Sequence, residues 1–297
     1  MIAVMGATGQ VGRQIVESLL AQGRPVRAIG RNPKALAELA EAGAEIAAGD
    51  AGDAGFLTEA FRGADVVHTL LPYNPASPDF RAEQARLGEA IVTAVQKSGV
   101  RRVVALSSLG ADLPEGTGFI AASLHAQEQR LFRLTGVDLL LLRPTLFLES
   151  ILAGLPFVEA MGVNADAVDP DVPVPMIATK DVAAAAADAL LSDEWHGVEV
   201  RELLGARDYT YSEATRILGA AIGRPDLQYV RLPDEDMIGA LMEAGFSPDT
   251  AALHVEMGRA LSNGIIVRRG GRTPANTTPT RFEDVVSELL PTPSEAS

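Results

Sequence analysis

Ile2-Ala3-Val4-Met5-Gly6-Ala7-Thr8-Gly9-Gln10-Val11-Gly12 reads as a strand, a glycine turn and the start of a helix. The four apolar residues suit a buried strand. Beyond the turn, Val11, Ile15, Leu19 and Leu20 recur at helical spacing. A glycine-rich turn in this setting is a phosphate cradle. Gly6 permits the tight turn, Gly9 lets main chain approach a pyrophosphate, and Gly12 lets helix and strand pack closely. Thr8, Gln10 and Val11 complete the cradle, because the first helical N–H groups and the helix dipole favour an anion there. The reading is a dinucleotide site.

Working outward, apolar strands alternate with helical segments. Strands are expected at 25–29, 44–48, 65–71, 103–106 and 137–142. Helices are expected at 33–42, after Asp53, at 79–98 before Gly99, and at 119–134 before Gly136. Near-continuous apolar strands imply burial on both faces. The fold class is therefore α/β, a doubly wound parallel Rossmann sheet with a smaller C-terminal substrate-covering region. Residues 1–145 form the dinucleotide-binding core, and 176–204, with an alanine-rich helix from Asp181, return to it. Residues 146–175 and 205–290 form the substrate region, with a helix expected over 146–161 interrupted at Pro156. Pro170, Pro173 and Pro175 mark an extended connector, Thr210 and Glu213 a capping box, and 291–297 a disordered tail.

Composition narrows the function classes. The 297 residues carry a net charge of −14 and no cysteine. The charge opposes direct nucleic-acid binding, with Arg268, Arg269 and Arg272 read as a solvated turn. The missing thiols exclude disulfides and thiolate chemistry. No apolar run is long enough to span a membrane, and the first strand starts at Ile2, which leaves no room for a leader and points to the cytoplasm. His196 and His254 lack ligand spacing, so no metal is expected. His68 is read as a buried, satisfied histidine.

The second strand ends at Gly30-Arg31-Asn32-Pro33 with no carboxylate to hold a ribose 2′-hydroxyl. Arg31, assisted by Arg13, suits a 2′-phosphate, so NADP(H) is favoured over NAD(H). Asp50 is placed either to meet the adenine amino group or to cap a turn. Leu71, Pro72 and Tyr73, at the end of the fourth strand, are expected on the nicotinamide side.

The chain resembles the NmrA-like family of atypical short-chain dehydrogenases/reductases. The likeness rests on Gly6–Gly12, Val26–Pro33, Gly49-Asp50, Ser107–Ala111, Leu141–Glu149 and Ile177–Ala183, and it weakens beyond about residue 200. It implies NADP(H), a Rossmann domain, and either reduction of quinones, enones and other carbonyl compounds or a dinucleotide-sensing role through a protein partner. Short-chain reductases normally carry a Tyr and, four residues later, a Lys. Aligned on Leu131 and Gly136, those positions hold Ala121 and His125. The usual acid is missing, which argues against ordinary ketone reduction.

His125 is the leading remaining proton donor, or else a partner of the nicotinamide ribose. Ser107 or Ser108, at the end of the fifth strand, is a candidate for a hydrogen bond to a substrate oxygen or the nicotinamide, with helix capping as the alternative. Tyr73 is a candidate acid or an aromatic wall. Leu146, Phe147, Leu155 and Phe157, with Tyr73, are expected to line an apolar substrate pocket. The expected function is an NADPH-dependent reductase of a quinone-like, enone or other apolar carbonyl compound. The alternative is a redox-sensing regulator.

Overall fold

The computed structural model describes residues 1–290; the expected tail at 291–297 lies outside them. Its elements run β1 (Ile2–Met5), α1 (Gln10–Ala21), β2 (Val26–Gly30), α2 (Pro33–Glu41), β3 (Glu45–Ala48), α3 (Ala54–Phe61), β4 (Val66–Thr69), α4 (Phe80–Ser98) and β5 (Arg102–Leu106). A π-helical segment (Ile120–His125), α5 (Ala126–Leu131), β6 (Asp138–Pro144), β7 (Leu146–Phe147), α6 (Glu149–Leu152), α7 (Leu155–Met161) and β8 (Asn164–Asp166) follow. The rest is β9 (Val174–Ile177), α8 (Thr179–Leu191), β10 (Val198–Leu203), β11 (Asp208–Tyr209), α9 (Tyr211–Ala221), β12 (Tyr229–Arg231), α10 (Asp234–Glu243), α11 (Pro248–Ser262) and α12 (Phe282–Leu289).

Seven strands form one parallel sheet in the order β3-β2-β1-β4-β5-β6-β10. Strand order reverses between β1 and β4, with Ile2 paired to both Val26 and Val66. In a doubly wound sheet that reversal opens a crevice at the strand C-termini, where ligands bind. Ile15, Val16 and Leu19 of α1 and Val182, Ala186 and Leu190 of α8 cover one face. Leu57, Phe61, Leu87, Ile91 and Val95, from α3 and α4, cover the other. The central strands β1 and β4 are buried at every position, β1 as an unbroken apolar run and β4 with His68 and Thr69 buried beside Val66 and Val67. The edge strands β3 and β10 are not, and Ile46, Val198 and Val200 stand exposed on them.

Local sequence explains the boundaries. Asp53 caps α3 by accepting from Gly55 and Phe56, and Asp79 caps α4 by accepting from Ala82. α4 ends at Gly99 in the left-handed region, φ 81°. Thr210 accepts from the Glu213 N–H at 3.0 Å and caps α9. Glu149 accepts from the Thr179 N–H at 2.9 Å and from its hydroxyl at 2.6 Å. A carboxylate on α6 thus satisfies the first turn of α8, and it ties Leu141–Glu149 to Ile177–Ala183.

Several expectations need correction. The helix expected over 119–134 is π-helical through His125 and α-helical only to Leu131. Leu146 and Phe147 are not helical. They form β7, which joins β9 and β11 in a three-stranded sheet, so the proline-rich connector ends in a strand. Arg268, Arg269 and Arg272 are not a solvated turn. Arg268 pairs with Asp208 at 2.9 Å, Arg272 pairs with the same carboxylate, and Arg269 pairs with Asp112. These pairs fasten the segment after α11 beside the site. His68 is buried but not satisfied, since neither ring nitrogen has a hydrogen-bond partner. None of the described helices is long and apolar enough to cross a membrane.

Candidate functional site

The glycine turn closes around its own main chain. Gly6 sits at φ +68°, where a side chain would strike Leu70. A Cβ at Gly12 would lie 2.2 Å from the Gly6 carbonyl oxygen, so only glycine lets α1 start this close to β1. Gly9 is the N-cap of α1 and supplies no side-chain cap, and the first turn holds no acidic residue. The leading N–H groups are left for an external anion. A hollow of about 240 Å³ lies over this turn, lined by Gly6, Thr8, Gly9, Arg31, Pro72 and Tyr73 among others. The residues fit a dinucleotide. Gln10 has an exposed side chain and Val11 a buried one, so at these positions the main-chain N–H is what reaches an anion.

Arg31 is exposed and makes no ion pair among the described residues. Arg13 is engaged elsewhere, with Glu38 at 2.8 Å and Glu17 at 3.7 Å. Asp50 serves its own turn, accepting from the Gly52 N–H at 2.9 Å and from Arg86 at 3.0 Å. The Gly52 N–H, with burial opposing and Arg86 assisting, holds its carboxyl below the usual range. Asp50 does not line the hollow.

Two apolar cavities continue from the cradle. One, of about 250 Å³, is lined by Leu70, Leu106, Ser107, Leu109, Thr145 and Ile266 among others. The other, of about 480 Å³, is lined by Tyr73, Phe80, Ile151, Tyr211, Phe246 and His254 among others. They share Leu71, Phe119, Leu124, Leu146, Phe147, Ser150 and Met257. The first meets the cradle at Leu70 and the second at Tyr73. The Thr145 hydroxyl is buried in the lining without a partner.

The sequence-predicted residues are only partly assembled here. Leu71, Pro72, Tyr73, Ser107, Leu146 and Phe147 converge; Leu155 and Phe157 fall outside both cavities, and Leu155 packs into the C-terminal core. Tyr73 stacks against Phe80 and Phe119, each centroid 5.7 Å away, and burial raises its phenol pKa, which makes it a poorer acid. Ser107 Oγ donates to Glu128 Oε1 at 2.5 Å, so its lone pairs rather than its proton are free for a ligand. His125 lines neither cavity. Its Nδ1 stands 2.9 Å from the Ala111 carbonyl, which can only accept, so Nδ1 carries the proton.

The π-helical segment explains the displacement. Residues four and five apart now share a face, and the lining takes Phe119, Ile120, Ser123 and Leu124. Four residues not foreseen complete the site: Met257 and Ile266 as walls, and the pair His254–Asp166. The apolar spacing of Leu253, Met257 and Leu261 on α11 was the available signal for the walls.

A parallel sheet of this order, with a glycine cradle at its reversal, defines a dinucleotide-binding Rossmann protein. The chain belongs to the NAD(P)H-binding family, which matches residues 6–193, within the NmrA-like atypical short-chain dehydrogenases/reductases that its motifs resemble. It is 34% identical over 251 residues to a (4-alkanoyl-5-oxo-2,5-dihydrofuran-3-yl)methyl phosphate reductase of Streptomyces griseus, covering 84% of this chain and 83% of that one. It is 32% identical over 255 residues to quinone oxidoreductase 2 of Escherichia coli, covering 85% and 84%. The crystal structure of an NADPH-dependent quinone oxidoreductase from Escherichia coli, complexed with NADPH, superimposes with a TM-score of 0.81 at 26% identity, covering 97% and 99%.

Proposed function

We propose that the protein is an NADPH-dependent reductase of flat apolar acceptors of the quinone or conjugated-enone class. One observation carries this reading: an almost wholly apolar cavity adjoins the glycine cradle, and no tyrosine–lysine pair stands at their junction. The bound dinucleotide supplies hydride. In this reading Gly6, Thr8, Gly9, Gln10, Val11 and Gly12 hold the pyrophosphate through main-chain N–H groups, and Arg31 meets the 2′-phosphate. Leu71, Pro72 and Tyr73 wall the nicotinamide side. Ser107 accepts a hydrogen bond from the nicotinamide amide or a reduced substrate. His125, its ring fixed by Ala111, orients the ribose.

Acceptor chemistry follows from the missing acid. A ketone becomes a localised alkoxide on hydride addition and needs a proton at once. A quinone or enone becomes a delocalised anion that solvent can protonate. Two relatives are named for such acceptors, one as a reductase of a (4-alkanoyl-5-oxo-2,5-dihydrofuran-3-yl)methyl phosphate and one as a quinone oxidoreductase, which supports the reading. A small-molecule reductase that draws on NADPH fits the cytoplasm. The test is NADPH oxidation with 1,4-naphthoquinone, an α,β-unsaturated lactone and cyclohexanone. Turnover of the first two but not the third is expected. Tight NADPH binding with no turnover on any acceptor rejects the reading.

A further inference from the structure

His254 on α11 and Asp166 on β8 are 88 residues apart in sequence and meet at 3.2 Å, Nε2 to Oδ1. Both line the larger cavity, and neither lines the cradle. Each side chain is 21% exposed. Around them the wall is Phe246, Tyr211, Phe80, Phe119 and Met257. Phe246 sets its edge against the imidazole, 6.3 Å between centroids. A charged pair in such a wall is costly unless it has a partner to meet.

Asp166 Oδ1 also accepts from the Ala167 N–H at 2.6 Å, so the carboxylate is anchored from its own strand end. Of the two His254 ring nitrogens, Nε2 is the one engaged in a hydrogen bond among the described residues, and it carries the proton that Asp166 accepts. Tyr211, Tyr229 and Arg231, the last opposite Asp166 in the strand pair and bound to Asp169 at 2.7 Å, are other titratable groups nearby. Burial, reinforced by the Asp166 charge, pushes both phenols upward, so they stay neutral. Tyr229 spends its proton on the Val168 carbonyl at 2.6 Å. Burial alone would lower the imidazole pKa, but the Asp166 hydrogen bond and charge outweigh it and the net shift is upward.

We infer that His254, held by Asp166, is an oxygen-binding subsite of the substrate cavity: as imidazolium it keeps one proton on Nε2 for Asp166 and donates the other from Nδ1 to a carbonyl or hydroxyl oxygen of the bound acceptor. The inference rests on the reading of the cavity as the acceptor site and adds a requirement to it. The preferred acceptor is not merely flat and apolar; it carries an oxygen that reaches His254 while its electrophilic carbon faces the cradle. Hydrocarbons and dyes without that oxygen bind by burial alone. His254 is thus a specificity residue, and Asp166 a positioning residue that acts through it.

Equilibrium binding to the NADP⁺-loaded protein, which has no hydride to give, isolates this from turnover. Calorimetric titration with 1,4-naphthoquinone and with naphthalene compares ligands of the same ring shape with and without oxygens. The protein has no cysteine to form quinone adducts. The quinone should bind about ten- to a hundredfold more tightly, the range of one hydrogen bond to a charged group. His254→Phe should keep naphthalene binding and abolish the preference, and Asp166→Asn should reduce it several-fold. Should the phenylalanine variant fail to fold, side-chain ¹⁵N resonances of the unmodified protein decide the matter. The His254 Nδ1 signal, assigned by its change in Asp166→Asn, should move with naphthoquinone and not with naphthalene. An unchanged preference in the variants, or an unmoved Nδ1 signal, overturns the inference and leaves the reductase reading standing. Failure of both ligands to bind the unmodified protein overturns both.

Discussion

The guanidinium of Arg143 grips the Glu128 carboxylate through two hydrogen bonds, Nε to Oε1 at 2.9 Å and Nη2 to Oε2 at 2.5 Å. The pair lies beneath the cavity floor with the Glu128 side chain 2% exposed and that of Arg143 10% exposed. Ser107 reaches the cavity from the same carboxylate, and Asp112, which holds Arg269, approaches Arg143 at 3.8 Å. Removing one member of a buried pair strands the other's charge. Glu128→Ala should therefore destabilise the fold by about 3–5 kcal/mol, read as a lower urea midpoint with little change in slope. Ser107→Ala should cost only about 1 kcal/mol, because Arg143 still satisfies Glu128. Equal effects would mean that the pair does not act as a unit.

Arg31 sits at the lip of the cradle with no carboxylate partner, which leaves its charge available. A charge-assisted hydrogen bond is worth about 1.5–3 kcal/mol, or roughly ten- to 150-fold in affinity. Arg31→Ala should weaken NADPH by that factor and leave NADH nearly untouched. Calorimetric titration with both cofactors checks this; equal affinities in the unmodified protein would show that Arg31 does not choose between them.

Gly9 and Gly12 lie three residues apart and should fail differently. A Cβ at Gly9 would sit 3.3 Å from the Gly6 carbonyl, a contact that small shifts relieve. The backbone there is extended, φ −89° and ψ 171°, which a β-branched residue adopts readily. Gly9→Val should keep the fold and lose the rise in melting temperature on adding NADPH, a stabilisation of about 2.7 kcal/mol at a hundredfold excess over Kd. Gly12→Ala drives its methyl into main chain and should lower the melting temperature without any ligand. The reverse pattern would put the pyrophosphate elsewhere.

These cases mark where sequence was legible. Gly6, Gly9 and Gly12 act within one strand–turn–helix, so spacing alone reveals them. The caps at Asp53 and Asp79 are equally local. The cavity is not. Met257 and Ile266 reach it from beyond residue 250, and His254 finds Asp166 only through the fold. A helical period put Ala121 and His125 on one face toward the cofactor, whereas the π-helical segment turns Ser123 and Leu124 to the cavity instead. Leu155 and Phe157 continued an apolar run, and tertiary packing put Leu155 in the core. Ser107 was readable as a strand-end hydroxyl, but not its bond to Glu128, which reverses the role of its proton.

His68, in the centre of β4, gives the fold an acid limit. Burial pushes its pKa down to about 4 from 6.5, outweighing the opposing effect of the Met5 main chain. The folded protein holds the ring neutral, so between those values the unfolded chain binds more protons. Its stability contribution is complete above about pH 6.5, falls as pH drops toward 4, and levels off below. The loss is on the order of 3 kcal/mol over that window. Urea unfolding of the unmodified protein and of His68→Leu should diverge in slope against pH there, the variant being flatter. Parallel curves would mean that the ring finds a partner when charged.

His125 is where the proton-donor and ribose-binding readings part. Its Nδ1 proton is committed to the Ala111 carbonyl at 2.9 Å, so only Nε2 is free, and it lines neither cavity. General acid catalysis is worth about 10²–10⁴-fold, and its loss would show at that scale. A residue that only fixes the ribose should cost far less at saturating cofactor, and most of the loss should appear in the KM for NADPH. His125→Ala is expected to reduce kcat with naphthoquinone by less than about tenfold while raising the NADPH KM. His125→Asn, which can still donate to Ala111, should recover part of the KM. The solvent isotope effect separates the cases further, because a proton delivered by His125 in the slow step would give a large effect in the unmodified protein and a smaller one in the variant. A drop in kcat of a hundredfold or more with unchanged KM would return His125 to the role of proton donor.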